Sequence, residues 1–223
     1  VMAPFDFAGA YDPCFELGGD FYDFIPLERS VGVVVGDVVG KGLAASLLMA
    51  SVRAGIRAHA EDVYDLDEIM MKVNAALAHD TRDNEFATVF YGALDPATMR
   101  LTYCSAGHEP ALLFRGDSFQ QLEVGGMVLG IDDRQPYDKG LVDLQAGDIL
   151  VVHTDGVTDA TNFNGEKFAR DRLRKAVRDM SHESAQRIAQ HVLWEVRRFA
   201  GLNKRPDDMT LAVVKVNESA RAV

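Results

Sequence analysis

Four acidic positions in the 223-residue chain stand where predicted strands begin or end, and carboxylates are well suited to holding hard divalent cations. Asp20 opens a predicted strand, and Asp37 closes the strand that follows it through a short turn. Asp155 comes directly after a later strand, and the pair Asp207 and Asp208 precedes the last one. In an antiparallel sheet the start of one strand lies beside the end of its neighbour, so these carboxylates could converge at one edge.

Converging carboxylates indicate a cation site, because their charges repel one another unless cations neutralise them. Ligation by oxygen alone favours Mg²⁺ or Mn²⁺ over Zn²⁺. Glycines adjoin Asp20, Asp37 and Asp155, and a residue without a side chain lets metal-bound water and a phosphate group approach the backbone. A single Asp-Gly pair at a strand end is more often a turn or a helix N-cap than a ligand, so the case for a metal site rests on the positions together.

The elements that must carry these aspartates are mostly strands. Helical spacing predicts one helix from Leu43, a second after the capping-box pair Asp65 and Glu68, and two more around residues 168–180 and 185–199. Alternation and apolar runs predict strands at residues 5–11, 20–27, 31–37, 87–95, 99–105, 110–115, 118–123, 140–144, 148–154 and 209–216.

The order of these elements predicts an α+β fold. Short turns join most of the strands, which favours antiparallel pairing over crossover connections. Two separate helix pairs interrupt the strands, and each must bury an apolar stripe. A four-layer α-β-β-α sandwich, with two mostly antiparallel sheets and a helix pair on each outer face, would bury the apolar stripe of every helix. Because no internal repeat or linker divides the chain, residues 1–223 are predicted to form a single domain.

The composition narrows the classes of function. Hydrophobic residues make up 48% of the chain and charged residues 26%, which is ordinary for a globular protein. The formal net charge of -11 disfavours binding to nucleic acid or to an anionic membrane. The most apolar stretch, residues 31–52, contains Asp37 and Lys41 and is not expected to insert into a membrane. Two distant cysteines, Cys14 and Cys104, are typical of a reduced cytoplasmic protein.

Other phosphate chemistries are disfavoured by the sequence. The glycine-rich segment 36–42 resembles a P-loop, but Val35 stands where that motif needs its first glycine and Gly42 stands where it needs serine or threonine. The chain also has no convincing Cys-x5-Arg loop and no convincing Ser-His-Asp pattern. Nucleotide binding and covalent catalysis are therefore not indicated.

Seven sequence runs occur in register along nearly the whole chain: GGDFYDF (18–24), GDVVGKGLAASLLMA (36–50), ATVFYGALD (87–95), SAGHEPALL (105–113), LGI (129–131), TDGVTDA (154–160) and DDMTLAVV (207–214). Together they resemble the bacterial SpoIIE/RsbU-like branch of the metal-dependent (2C-type) protein serine/threonine phosphatases. That family folds as an α-β-β-α sandwich, which agrees with the arrangement predicted from the strand and helix patterns.

The resemblance implies a site for two Mn²⁺ or Mg²⁺ ions. Asp37 would bridge the two ions and position the hydroxide between them. Asp155 and Asp207 would hold one ion on its own side. Asp20 and the backbone carbonyl of Val38 would serve the other ion, in part through water.

Some assignments within the site stay open. Asp207 rather than Asp208 is assigned as the ligand because the family motif puts the metal aspartate before an asparagine or aspartate, but the two could exchange roles. Asp159 stands where many relatives carry glutamate, and it could hold a weaker third ion or cap the start of a helix. His108 lies in a family motif and is expected to support a loop rather than to transfer protons, whereas His153 is a candidate to contact a metal ligand.

The implied activity is that of a Mn²⁺/Mg²⁺-dependent phosphoprotein phosphatase, in which a metal-bridging hydroxide attacks phosphoserine or phosphothreonine. The implied substrate is a STAS-type antagonist of an anti-sigma factor in bacterial signalling. The alternative is a catalytically silent pseudophosphatase that binds a partner, which the presence of all the expected aspartates disfavours. A two-metal nuclease or phosphodiesterase is disfavoured by the net charge of -11.

The resemblance also implies a longer context. The chain starts at Val1, inside the first predicted strand, whereas relatives usually carry a preceding helix and often an upstream sensor or receiver domain. We therefore expect a catalytic domain excised from a longer multidomain regulator. We expect it to act in the cytoplasm, with no nucleic-acid partner and no membrane insertion of this domain.

Overall fold

The computed structural model describes residues 4–63, 65–81, 85–203 and 207–218, which contain eleven strands and five helices. The strands are β1 (Phe5–Asp12), β2 (Phe21–Pro26), β3 (Val31–Val38), β4 (Ala87–Asp95), β5 (Arg100–Ala106), β6 (Ala111–Arg115), β7 (Ser118–Leu122), β8 (Gly125–Gly126), β9 (Gly140–Asp143), β10 (Ile149–His153) and β11 (Met209–Val216). The helices are α1 (Leu43–Asp62), α2 (Leu66–Asp80), α3 (Asp155–Thr158), α4 (Ala169–Asp179) and α5 (Ala185–Ala200).

The strands form two sheets. Sheet 1 has the strand order β1-β11-β10-β6-β7. Sheet 2 has the order β2-β3-β4-β5-β8, and β9 also pairs with β5. The named pairings are antiparallel apart from the short parallel pair β5 and β8. The predicted α+β class and the two mostly antiparallel sheets are therefore confirmed.

Side-chain alternation explains why the central strands are apolar on both faces. On β3, Val33 and Val35 belong to an apolar cluster that they share with Leu150 and Val152 of β10. Because β3 and β10 lie in different sheets, this cluster lies between the sheets. The intervening Val34 belongs to a second cluster, which includes residues of α1 and α2.

A helix pair packs on the outer side of each sheet. Ile56 of α1 and Met70 of α2 lie in the second cluster, against sheet 2. Leu173 of α4 and Ile188 of α5 lie in a third cluster with Val151 of β10, against sheet 1. Three apolar clusters separated by two sheets are what the predicted four-layer arrangement requires. Among the described helices, none has the length and apolar character needed to cross a bilayer.

Two local features differ from the predictions. Asp65 directly precedes α2, but its side chain makes no capping hydrogen bond, so the predicted capping box with Glu68 is wrong. The Asp65 carboxylate instead accepts a hydrogen bond from Lys139 Nζ at 2.8 Å. The short strand Gly125–Gly126 and the single turn Asp155–Thr158 were not predicted, because neither is long enough to show a periodic pattern.

A buried carboxylate fastens α1 to β2. Asp23 is buried, and it accepts hydrogen bonds from Arg57 Nη2 at 2.6 Å and from Arg53 Nε at 2.9 Å. Burial by itself raises the pKa of Asp23, but the hydrogen bonds and charges of the two arginines outweigh burial and hold that pKa below its usual range. The ionised carboxylate therefore stabilises the folded chain.

The variant Asp23→Asn is expected to lower the free energy of unfolding by about 1–2 kcal/mol at neutral pH, because three charge-assisted hydrogen bonds from Arg53 and Arg57 are weakened. A depressed folded pKa contributes stability that is present above the unfolded pKa of about 3.9 and is lost as the pH falls through the folded pKa. The difference between wild type and variant should therefore shrink in acid. Urea unfolding at about pH 7 and about pH 3 measures it.

Asp143→Asn is the matched control, since Asp143 is largely exposed and pairs with Arg100 on the surface. Its effect should stay within about 0.5 kcal/mol at both pH values. A loss of stability in Asp23→Asn that stays the same size in acid would contradict the role of its charge.

Candidate metal centre

The β2–β3 hairpin places two of the predicted aspartates side by side. At the end of β3, the N–H of Val38 donates to the carbonyl of Gly19, which lies just before β2, at 3.3 Å. The register of the hairpin therefore puts Asp20, one residue before β2, opposite Asp37 of β3. Asp20 is buried and Asp37 is partly buried.

The other two aspartates predicted as metal ligands lie at the ends of strands in sheet 1. Asp155 begins α3 directly after β10, and Asp207 lies two residues before β11, which pairs with β10. Beside them, the hydroxyl of Thr154 donates a hydrogen bond to Asp20 Oδ2 at 2.6 Å. This bond joins the two sheets at the point where the predicted ligands meet.

The carboxylates lie close enough to shift one another's pKa. Burial and the charge of Asp37 raise the pKa of Asp20 to about 9. Burial and the charge of Asp155 raise the pKa of Asp37 to about 6, and Asp207 and Asp208 add to this effect. Burial and the charge of Asp207 also raise the pKa of Asp155. A hard divalent cation would relieve this repulsion, so the oxygen donors assembled here fit Mg²⁺ or Mn²⁺.

The backbone carbonyl of Val38 lies directly against a glycine. A Cβ atom placed on Gly19 would be 2.5 Å from the Val38 oxygen, which is closer than non-bonded atoms approach. A residue without a side chain at position 19 therefore lets this carbonyl come next to Asp20. The involvement of Val38 in a metal site stays a prediction, and this packing is compatible with it.

The neighbouring aspartates before β11 have different environments. Asp208 is buried, and it accepts hydrogen bonds from the backbone N–H groups of Cys14 at 2.8 Å and of Gly19 at 3.1 Å. The side chain of Asp207 is 46% exposed, and its Oδ1 lies 3.3 Å from Lys41 Nζ. Asp207 Oδ1 also accepts the backbone N–H of Asp208 at 3.0 Å. Both oxygens of the buried Asp208 carboxylate accept backbone N–H groups, however, so the half-exposed Asp207 is the better placed of the two to bind a cation.

A cysteine also lies at the site, and the sequence analysis did not include it among the candidates. The sulfur of Cys14 and carboxylate oxygens of Asp207 and Asp208 all lie within 4.8 Å of one another. Burial and the hydrogen bond with Asp208 raise the pKa of the Cys14 thiol to about 11, so the thiol is protonated at neutral pH. The one sequence signal for Cys14 is its position shortly before Asp20.

Asp159 is the candidate for a third ion. It lies at the end of α3, so the alternative of a cap at a helix start is wrong. Its Oδ2 accepts a hydrogen bond from Lys167 Nζ at 2.7 Å. Its charge nevertheless contributes to the raised pKa of Asp155, which places it near the cluster.

The two histidines considered from the sequence are both buried. His108 Nδ1 lies 2.9 Å from Thr88 Oγ1, and burial lowers the pKa of His108 to about 3. His153 Nδ1 lies 3.0 Å from the carbonyl oxygen of Thr154, and burial lowers the pKa of His153 as well. Both rings are therefore neutral at pH 7 and contact protein groups, which suits structural support better than proton transfer.

The sequence model of the family described as Stage II sporulation protein E (SpoIIE) matches residues 28–217. The chain belongs to the SpoIIE family. The resemblance to the SpoIIE/RsbU-like branch is thereby confirmed. This SpoIIE-family chain is 28% identical over 205 residues to the phosphoserine phosphatase RsbU of Bacillus subtilis (strain 168). The match covers 91% of this chain and 61% of RsbU, so the chain spans about three fifths of that relative.

Solved structures show the same fold for this SpoIIE-family chain. The SiaA-PP2C domain of Pseudomonas aeruginosa gives a TM-score of 0.84 at 20% identity, over 94% of this chain and 84% of that domain. The catalytic domain of the serine/threonine protein phosphatase PstP, solved with 2 manganese ions, gives a TM-score of 0.71 at 16% identity, over 96% and 98% of the two chains. The chain therefore has the PP2C-type fold.

Replacing Asp37 with asparagine (Asp37→Asn) is expected to make the metal-free protein more stable and to weaken Mn²⁺ binding. The folded pKa of Asp37, about 6, lies above the unfolded value, so the ionised carboxylate destabilises the fold as the pH rises through this interval. Removing the charge should raise the free energy of unfolding by on the order of 1 kcal/mol at neutral pH. Urea unfolding in EDTA and a calorimetric Mn²⁺ titration measure the two effects.

At about pH 4.5 the stability difference should shrink, because the wild-type carboxyl is then largely protonated. The exposed Asp117 lies in the β6–β7 turn, and Asp117→Asn should change neither stability nor Mn²⁺ affinity. A metal-free Asp37→Asn protein less stable than wild type at neutral pH would contradict the inferred repulsion.

Proposed function

We propose that this chain is a Mn²⁺/Mg²⁺-dependent protein phosphatase that hydrolyses phosphoserine and phosphothreonine. The observation that carries the proposal is a cluster of carboxylates, drawn from both sheets, whose pKa values are raised by burial and by one another. Membership of the SpoIIE family and the activity named for RsbU, a phosphoserine phosphatase, support the substrate class. The manganese ions bound by the structural neighbour PstP support the cofactor.

The cluster offers ligands for two cations. Asp37 would contact both, and Asp155 and Asp207 would hold one of them. Asp20 and the backbone carbonyl of Val38 would serve the other. Two divalent cations bound there would lower the pKa of a water molecule and neutralise charge on the phosphate.

Other side chains would keep these ligands in position. The Thr154 hydroxyl fixes the orientation of the Asp20 carboxylate through its hydrogen bond to Oδ2. Asp208 accepts the N–H of Gly19, and so ties the residues just before Asp20 to the segment that carries Asp207. Both contacts span sheets or distant segments, so they hold the ligands at fixed positions before any substrate arrives.

Direct attack by water fits the side chains that the structure describes around the cluster. The Cys14 thiol, with its pKa raised to about 11, is protonated and therefore a weak nucleophile. His108 and His153 are buried and neutral. In the proposed reaction, a water molecule gives up a proton to solvent and its oxygen forms a bond to phosphorus, while the bond to the seryl or threonyl oxygen breaks. The leaving oxygen takes that electron pair and then a proton from solvent.

A third and weaker ion near Asp159 is part of the proposal. Such an ion would have to compete with the ammonium group of Lys167, which lies 2.7 Å from Asp159 Oδ2. This competition accounts for weak binding, because a cation at Asp159 must displace an existing ion pair.

The proposed substrate is a STAS-type antagonist of an anti-sigma factor, and the proposed location is the cytoplasm. Family resemblance supports both, together with control by an upstream sensor or receiver domain. The net charge of -11 favours a protein over a nucleic acid as the substrate. A silent pseudophosphatase has less support, because aspartates stand at all the positions proposed for metal ligands and lie close enough to raise one another's pKa.

Hydrolysis of a phosphoserine peptide during a Mn²⁺ titration tests the proposed function. Wild type should show turnover that EDTA abolishes. Asp155→Ala and Asp207→Ala should each lose about 100-fold or more of this activity, because each removes a metal ligand. Asp117→Ala in the exposed β6–β7 turn is the control and should keep wild-type turnover, and thermal unfolding checks that every variant folds.

Turnover that survives both ligand substitutions would rule out the assigned metal site. A folded wild type that is inactive with Mn²⁺ and with Mg²⁺, although it binds Mn²⁺ in calorimetry, would favour the pseudophosphatase instead.

A further inference from the structure

A lysine lies at the solvent-exposed side of the carboxylate cluster, next to Asp207. Lys41 lies on the short loop between β3 and α1, shortly after Asp37. Its Nζ is 3.3 Å from Asp207 Oδ1, and the two side chains are 41% and 46% exposed. Among the salt bridges of the described residues, this one alone involves any of the aspartates at the site, which are Asp20, Asp37, Asp155, Asp207 and Asp208.

The surrounding backbone presents this lysine at the site. Gly40 and Gly42 flank Lys41 with φ angles of 99° and 75°, so the loop turns sharply on both sides of it before α1 begins. The centroid of the Phe15 ring also lies 5.9 Å from the ammonium group. A cation and an aromatic ring at this separation attract one another, which keeps the lysine stem near the cluster.

We propose that Lys41 binds a phosphoryl oxygen of the substrate, an inference that rests on the proposed phosphatase function. An ammonium group is a compact donor with three N–H bonds and is well suited to phosphate. A divalent cation bound at Asp207 would share the charge of that carboxylate and so weaken its attraction for Lys41. A phosphate dianion bound beside Asp207 would then place negatively charged oxygens close to the Lys41 ammonium group and attract it.

This contact would matter most in the transition state. Charge on a transferring phosphoryl group is spread over its equatorial oxygens, and a fixed positive donor beside them stabilises that charge. Lys41 keeps its proton in this role, and it forms and breaks no covalent bond. It would therefore act as a phosphate-binding residue rather than as a nucleophile or a proton donor.

A purely structural role for Lys41 and a phosphate-binding role predict different changes in affinity when the lysine is removed. If Lys41 only neutralises Asp207 and organises the loop, its removal should disturb the carboxylate and lower the affinity for Mn²⁺. A phosphate-binding role requires the reverse pattern. Mn²⁺ should then bind at least as tightly without the competing ammonium group, whereas phosphate should bind more weakly.

Calorimetric titration of inorganic phosphate into the Mn²⁺-loaded protein separates these roles. Lys41→Met keeps most of the aliphatic stem and removes the charge, and it should weaken phosphate binding about tenfold, the value of one charge-assisted hydrogen bond. Lys41→Arg keeps the charge and should restore binding to within about threefold of wild type. The affinity for Mn²⁺ without phosphate should not fall in either variant.

Lys139→Met is the matched control, since Lys139 also pairs with aspartates, Asp65 and Asp67, beside α2. It removes the same charge and should leave phosphate affinity unchanged. Phosphate affinity that is unchanged in Lys41→Met, or that falls equally in Lys139→Met, would overturn the proposal. So would a wild type that binds no phosphate, or a loss of Mn²⁺ affinity in Lys41→Met.

Turnover of the phosphoserine peptide is measured in parallel, and Lys41→Met should lower kcat/KM by a factor similar to its loss of phosphate affinity. A wild type that binds phosphate through Lys41 but shows no turnover would refute the phosphatase function alone. The two conclusions can therefore fail separately.

Discussion

The repulsion among the clustered carboxylates is opposed by the packing of one sheet on the other. Asp20 and Asp37 come from sheet 2, whereas Asp155 and Asp207 come from sheet 1, so they share a site only while the sheets stay together. The apolar cluster between the sheets supplies the attraction, since each fully buried aliphatic side chain contributes about 1.5–3 kcal/mol. The hydrogen bond from Thr154 to Asp20 then sets how the two sheets meet at the site.

Much of this arrangement could be predicted because it depends on local pattern. Strands β3, β10 and β11 read as continuous apolar runs since both of their faces are covered, and such runs are visible in one sequence. The aspartates proposed as metal ligands could be picked out by residue type and by their position at strand ends. The hairpin between β2 and β3 could be placed because a short turn leaves one pairing partner for each strand.

The remaining features depend on contacts between residues far apart in the sequence. Asp65 was expected to cap α2, but Lys139 from a distant loop competes for its carboxylate. Asp208 could not be distinguished from Asp207 by motif alone, because its partner Cys14 lies 194 residues away. The helix turn Asp155–Thr158, which Asp159 directly follows, is too short to leave a periodic signal. Each of these outcomes is decided by how the sheets and loops pack rather than by local propensity.

The position of β11 in sheet 1 has a consequence for how the protein is made. This strand is the last of the described elements, yet it lies between β1 and β10 and pairs with both. A growing chain on the ribosome therefore has no strand between β1 and β10 until residues 209–216 emerge. Until then Asp20 and Asp37 have no partner aspartate from the segment before β11. All of the clustered aspartates can therefore come together only after this strand has been made, and a nascent chain that lacks residues 207–216 cannot assemble the cluster.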